Sequence, residues 1–210
     1  MKKAPILLVG AGGHARACID VIEQEGRFAV AGLAGLPHEV GTQVFGYPIR
    51  GTDADLPALL GDCAHALISI GQIKTPEPRM RLFDLLEQSG YVLPAIVSPR
   101  AYVSPHATVG AGTIVMHGAV VNAGAVVGRN CIINSQCLVE HDTVIADHCH
   151  IATAATINGG AHIGAGTFIG SNSSVRHCVN IGERCLIDMG QRVLVDCEAG
   201  TCMLAPKKPS

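Results

Sequence analysis

From Val97 onward a branched apolar residue returns at every sixth position, from Val97, Val103 and Val109 through Ile133 and Ile157 to Val193. It is always Val or Ile, and the phase never slips. The position four further on is small or short: Ala101, Ala107, Thr113, Ala119, Ala125, Cys131, Cys137. A helix repeats about every 3.6 residues and a flat strand about every 2, so a period of six fits neither. It predicts a parallel β-helix of hexapeptide repeats in which short strands alternate with turns. The branched side chain fills the axis and the small one fits the corner.

Before Val97 the pattern is that of alternating strands and helices. Ile6–Val9 is a short apolar run that stops at glycines, and Val30–Leu33 and Ala66–Ile70 read as two more strands. His14–Gln24 carries Ala17, Cys18, Val21 and Ile22 on one helical face. Asp55–Leu60 predicts a short helix with Asp53 as N-cap, Pro78–Gln88 a helix closed by Gly90, and Tyr91–Ile96 a last strand. Such alternation implies a small Rossmann-like α/β layer with a parallel sheet. The expected organisation is therefore mixed: an α/β domain over residues 1–94, a β-helix over 95–196 and a C-terminal tail over 197–210.

Composition narrows this reading. Hydrophobic residues make up 48% and charged residues 15% of the chain, which suits a large core. Aromatics are only 3%, as expected of a core built from stacked aliphatic layers. A net charge of −2 without a basic run argues against nucleic-acid binding. The nine cysteines form no C-x-x-C pair. Reduced thiols in a cytoplasmic protein are expected, with Cys131, Cys137, Cys149 and Cys185 serving as small apolar filler. The opening MKKAPILLVG imitates a secretory leader, but Gly10, Gly12 and Gly13 break the apolar run. No stretch has the roughly 18 apolar residues that membrane insertion requires.

Two rungs of the ladder carry ionisable groups: VEHD at Val139–Asp142 and VIADHCH at Val144–His150. These, with Gly159 and Gly160, the opening GAGGHA, the hexads from VSPRAYVSPHATVG, NSQCLVEHD and VLVDCEAGT, resemble the sialic acid O-acetyltransferase NeuD family of hexapeptide-repeat acyltransferases. That family includes the bacillosamine and perosamine N-acetyltransferases. The resemblance covers almost the whole chain. It implies a left-handed β-helix with three hexads to a coil, a homotrimer with active sites in the grooves between subunits, and acetyl-CoA as co-substrate.

By the same resemblance His141 is the general base, since an imidazole titrates near neutrality. Asp142 would hold the other ring nitrogen if the backbone bends there, with Glu140 as the alternative orienter. The Gly159 N–H would bind the thioester oxygen, and turn amides near Gly160, Ser171 and Asn172 would line the pantetheine groove. His150 would contact the acceptor sugar. His148 reads as a surface residue, and His162 and His177 are left unassigned.

The front turn, Val9–Ala15, fits G-x-G-x-x-A between a strand and a helix, a place suited to phosphate. NAD is not expected, because Ala34 stands where a dinucleotide site wants an acid after the second strand. The resemblance assigns the turn to a nucleotide-sugar acceptor, with Gly12, Gly13 and His14 near phosphate or sugar. Relatives commonly have Asp in the stretch matching GLAG, which this chain lacks, so a nucleotide other than uridine, or an acceptor without one, stays open.

The expected activity is acetylation of the amino group of a nucleotide-linked amino sugar for bacterial surface glycan synthesis. O-acetylation of sialic acid or a related nonulosonic acid is the alternative. A γ-carbonic-anhydrase-like metal hydrase would need a third His where Gly182 stands, so no metal is expected. A non-catalytic β-helix scaffold is the remaining reading. At the end of the chain, Asp188 and Met189 replace a commonly glycine-rich turn, and Lys207 and Lys208 are candidates for a CoA phosphate.

Overall fold

The structure, a computed structural model, describes residues 3–204; Lys207 and Lys208 lie outside the described residues. The first part runs β1 (Ala4–Val9), α1 (Gly13–Glu25), β2 (Phe28–Ala34), β3 (Gln43–Val44), β4 (Tyr47–Gly51), α2 (Leu56–Leu59), β5 (His65–Ile68) and α3 (Glu77–Gln88). The sheet order is β3-β4-β2-β1-β5, parallel except between β3 and β4. β1 is central, and Ile6 to Val9 are buried on both faces, which is why that strand reads as an unbroken apolar run.

Three local expectations fail for identifiable reasons. The β3–β4 hairpin went unforeseen because Pro48 breaks the strand pattern; it turns at Phe45 and Gly46, both with positive φ. Asp53 is not an N-cap: it pairs with Arg81 at 2.8 Å, while the Asp55 carboxylate accepts from the backbone and hydroxyl of Thr52. Tyr91–Ile96 is not one strand. Val92 bridges to His65, Pro94 interrupts, and Ile96–Val97 already belongs to the β-helix.

The rest of the described chain is a left-handed β-helix of two-residue strands. It has three faces, all parallel. The first begins at Ile96–Val97 and has seven strands, the second at Tyr102–Val103 has six, and the third at Thr108–Val109 has five. Strands one coil apart differ by eighteen residues, as in Val121 against Val139. The second residue of each strand points inward, so Val115, Ile133, Ile151 and Ile169 are fully buried along the axis. The four filler cysteines line corners and are buried, and all nine cysteines are free. From Gly112 to Gly190 each corner has a left-handed residue, supplied by Gly124 and Gly160 but also by Asp142, His148 and Cys178. Residues 197–204 continue the stack: Cys197 bridges Ile181, and Cys202–Met203 pairs with Leu186–Ile187.

The α/β part covers the first face. Ile96, Ile114 and Ile132 there share a core with Ile19 and Ile22 of α1. α1 follows the corner between first and second faces, where His117 Nε2 meets Asp20 at 2.7 Å. α3 follows the corner between third and first faces, with Phe83 edge-on to His148. His148 is accordingly buried, not a surface residue as its sequence implied, and its Nδ1 meets the Asn130 amide at 2.9 Å.

Arg79 clamps the two parts. It is 1% exposed and donates to the carbonyls of Ile68 and Ile70 and to the carbonyl and side chain of Asn130. Burial lowers its pKa to about 10, still cationic at neutrality. Arg79→Met would leave these acceptors buried and unpaired, at roughly 1–3 kcal/mol each before relaxation. We expect a net loss of about 3–5 kcal/mol, read from urea unfolding, because some acceptors will relax toward other donors.

Candidate active site

His141 stands on the corner between the second and third faces, with its side chain 63% exposed. Asp142 takes the left-handed turn position there, φ 57°. That bend turns its carboxylate back, and Oδ2 lies 3.0 Å from His141 Nδ1. A flat strand would have sent the two side chains to opposite sides. One coil below, Gly124 leaves the room this needs, since a Cβ on it would overlap Asp142 Oδ1. Glu140 does something else: its Oε2 accepts from the His141 backbone N–H at 3.1 Å and from Asn122 Nδ2 at 2.9 Å. Asp142 therefore orients the ring, and Glu140 holds the backbone beneath it.

A carboxylate only accepts, so Nδ1 carries the proton and Nε2 keeps its lone pair. The hydrogen bond that His141 donates to Asp142 raises the His141 pKa; slight desolvation opposes it, and the charges of Asp142 and Glu140 add to it. Nε2 faces Gly159, one coil above, where a Cβ would come within 2.6 Å of it. Among the described residues the Gly159 N–H donates to no protein group, whereas the Gly160 N–H is used on His141 O. Glu140, His141, Asn158, Gly159, His177 and Cys178 line an open cavity of about 610 Å³.

The other anticipated residues lie elsewhere. Ser171 and Asn172 sit on the corner between first and second faces, with Asn172 at φ 56°. Within one chain they do not meet His141. The front turn is at the C-terminal ends of β1 and β2, and Gly12 lines a cavity of about 350 Å³ together with Gly10, Ala11, Glu39, Asp53 and Arg81. Gly13 opens α1 and His14 follows it. His14 turns inward, toward Arg79 and His150, and its enclosed Nε2 has no partner among the described residues. His150 is 7% exposed, and both ring nitrogens are engaged: Nδ1 with Gln72 O at 2.6 Å and Nε2 with the Asn134 amide at 3.0 Å. Sequence reasoning missed Gly124, Asn122 and Glu39. An eighteen-residue offset from Asp142 points to Gly124, but nothing local marks it.

Desolvation is the main cause that pushes His150 down to about 4 and His14 down to about 3, from 6.5. Unfolded, both take up protons near pH 6.5 and, folded, only near those lower values. Stability is thus present above about pH 6.5 and falls as pH drops toward 4 and below. His150 alone accounts for about 3 kcal/mol of that loss, at about 1.4 kcal/mol per unit. His150→Gln should flatten the acid limb of a melting-temperature profile between pH 6.5 and 4.

Among the described residues no group of three His, Cys, Asp or Glu converges as a metal site, and no helix is long and apolar enough to cross a membrane.

Residues 5–84 match the PglD N-terminal domain. The whole fold is similar to the acetyltransferase domain of PglB from Neisseria gonorrhoeae FA1090, solved with acetyl coenzyme A: TM-score 0.88 and 26% identity over 100% of both chains. It is also similar to PerB from Caulobacter crescentus, solved with CoA and GDP-perosamine: TM-score 0.89 and 28% identity over 95% of this chain and 93% of that one. WeeI from Acinetobacter baumannii AYE shares the fold at 21% identity and TM-score 0.72, over 95% of this chain and 96% of that one. No curated protein sequence matches significantly.

Proposed function

We infer that this chain, which belongs to the bacillosamine and perosamine N-acetyltransferase family of hexapeptide-repeat acyltransferases, moves the acetyl group of acetyl-CoA onto the amino group of a nucleotide-linked amino sugar. The observation that carries the mechanism is the His141 ring, held through Nδ1 by Asp142 with Nε2 turned to Gly159. The sugar amine attacks the thioester carbon, and His141 Nε2 takes the proton lost from that nitrogen. The Gly159 N–H donates to the oxygen that becomes negative. The C–S bond then breaks, and the imidazolium returns its proton to the departing sulfur. Asp142 stabilises the imidazolium in between.

Two copies complete the site in this reading. The α/β part covers the first face, whereas His141 is on the corner opposite that face. Ser171 and Asn172 are on the corner followed by α1. Stacked side by side in one layer, the His141 corner of one protomer meets the α1 corner of its neighbour, and the CoA groove runs between them. The assembly proposed is a homotrimer, in which each groove beside His141 is closed by a neighbouring copy.

The acceptor binds at the front turn of residues 1–94, with Gly12 and Gly13 toward the phosphates. His14 and His150 shape the sugar end, His150 acting through Asn134 because its own nitrogens are occupied. Gly160, Ser171 and Asn172 line the pantetheine path over residues 95–196. The setting is the bacterial cytoplasm, where nine unpaired thiols are stable, and the product serves surface glycan synthesis. The test is CoA release with UDP-, GDP- and dTDP-linked amino sugars beside sialic acids. Acetylation of the amino sugars is expected, and release only with sialic acids would overturn the choice of acceptor.

The raised His141 pKa sets the pH response. The base works unprotonated, so kcat/KM should fall as pH drops through a value above 6.5. Asp142→Asn should move that acid limb to lower pH in a pH–rate profile as well as slow the reaction.

A further inference from the structure

Position 34, at the end of β2, is a fully buried alanine and offers no carboxylate. The structure brings one there from further along the chain. Glu39 lies in the short 3-10 turn after β2, and a Cβ built on Gly35 would be 2.8 Å from Glu39 Oε2 and 3.3 Å from the Ala11 side chain. The carboxylate therefore stands beside the front glycine turn, in the cavity that Gly12 lines. The Leu36 N–H fixes it by donating to Oε2 at 2.7 Å, and Oε1 has no partner among the described residues.

In open α/β sheets an acid at the end of the second strand, next to a glycine turn that holds phosphate, accepts from the 2′-hydroxyl of the ribose attached to that phosphate. The spacing fits a ribose better than a base, because Glu39 adjoins the phosphate turn itself. We infer that Glu39 reads the ribose diol of the acceptor, so that the cavity selects ribonucleotide-linked sugars over deoxyribonucleotide-linked ones. This rests on the proposed acceptor class and narrows it: UDP- and GDP-sugars are accepted ahead of dTDP-sugars.

The test measures the affinity of the intact protein for UDP and GDP and for their 2′-deoxy and 3′-deoxy counterparts, in wild type and Glu39→Gln. A hydrogen bond to a charged acceptor is worth about 10- to 100-fold, so wild type should bind the 2′-deoxy counterparts that much more weakly, and a loss confined to the 3′-deoxy forms would overturn the selection against deoxyribonucleotides. Glu39→Gln keeps an oxygen for the Leu36 N–H and should reduce this discrimination to a few-fold, with an unchanged melting temperature. Equal binding of ribo and deoxy forms by wild type, or discrimination that survives in Glu39→Gln, would overturn the inference while leaving the acetyltransferase reading intact. Failure of every nucleoside diphosphate to bind would overturn the nucleotide-linked acceptor itself, and the inference with it.

Discussion

Replacing His141 by alanine is expected to lower kcat/KM for acetyl transfer by about 10²- to 10⁴-fold, the usual worth of a general base. The fold should not change. The ring is largely exposed on a corner, and its one side-chain hydrogen bond is to Asp142, which is itself exposed. A surface truncation away from caps and core usually alters stability by about 0.5 kcal/mol or less. The pairing of full thermal stability with lost CoA release separates a catalytic group from a structural one. Wild-type turnover by His141→Ala on an accepted amino sugar would remove His141 from the mechanism and return the β-helix to the status of a scaffold.

A methyl group at position 159 should do nearly as much damage. Gly159→Ala puts a carbon where Nε2 now points, at 2.6 Å. The φ of Gly159 is not in the left-handed region, so alanine strains no backbone there. The ring can swing toward solvent, and stability should be kept. Swinging costs His141 its bond to Asp142 and moves Nε2 off the amide proposed to receive the oxyanion. Losing one such donor costs about 10²- to 10³-fold in kcat, and misplacing the base adds to it. We expect at least a 10²-fold fall in kcat with an unchanged melting temperature. Gly124→Ala makes the contrast: it displaces the Asp142 carboxylate, so the pH–rate profile should shift as for Asp142→Asn.

The β-helix was legible because one period ran unbroken from Val97 to Val193 and each rung met the same neighbours. The ladder placed His141 on an outward rung, but it was the resemblance of VEHD and its neighbours to the family that assigned it the base's role. What depends on three-dimensional crowding was not legible. His148 looks in sequence like any charged-turn residue, yet α3 covers it. His150 reads as a ligand, yet Gln72 and Asn134 use both nitrogens. The choice between Glu140 and Asp142 turned on a single φ, which a ladder of alternating side chains does not reveal. Ala34 looked like a missing acid because the acid arrives from a turn five residues later.

The base stands opposite the face on which the α/β part rests. On the proposed assignments, acceptor choice and bond-making fall to different parts of the fold, and within one chain the imidazole stands away from the face that the α/β part covers. If so, drift in the first ninety or so residues would alter which sugar is admitted without disturbing the imidazole, and the two histories would be free to run at different speeds. A chimera joining a foreign front part at the Pro94 break, with the apolar seam of Ile96, Ile114 and Ile132 preserved, should inherit the donor's sugar and keep its own chemistry.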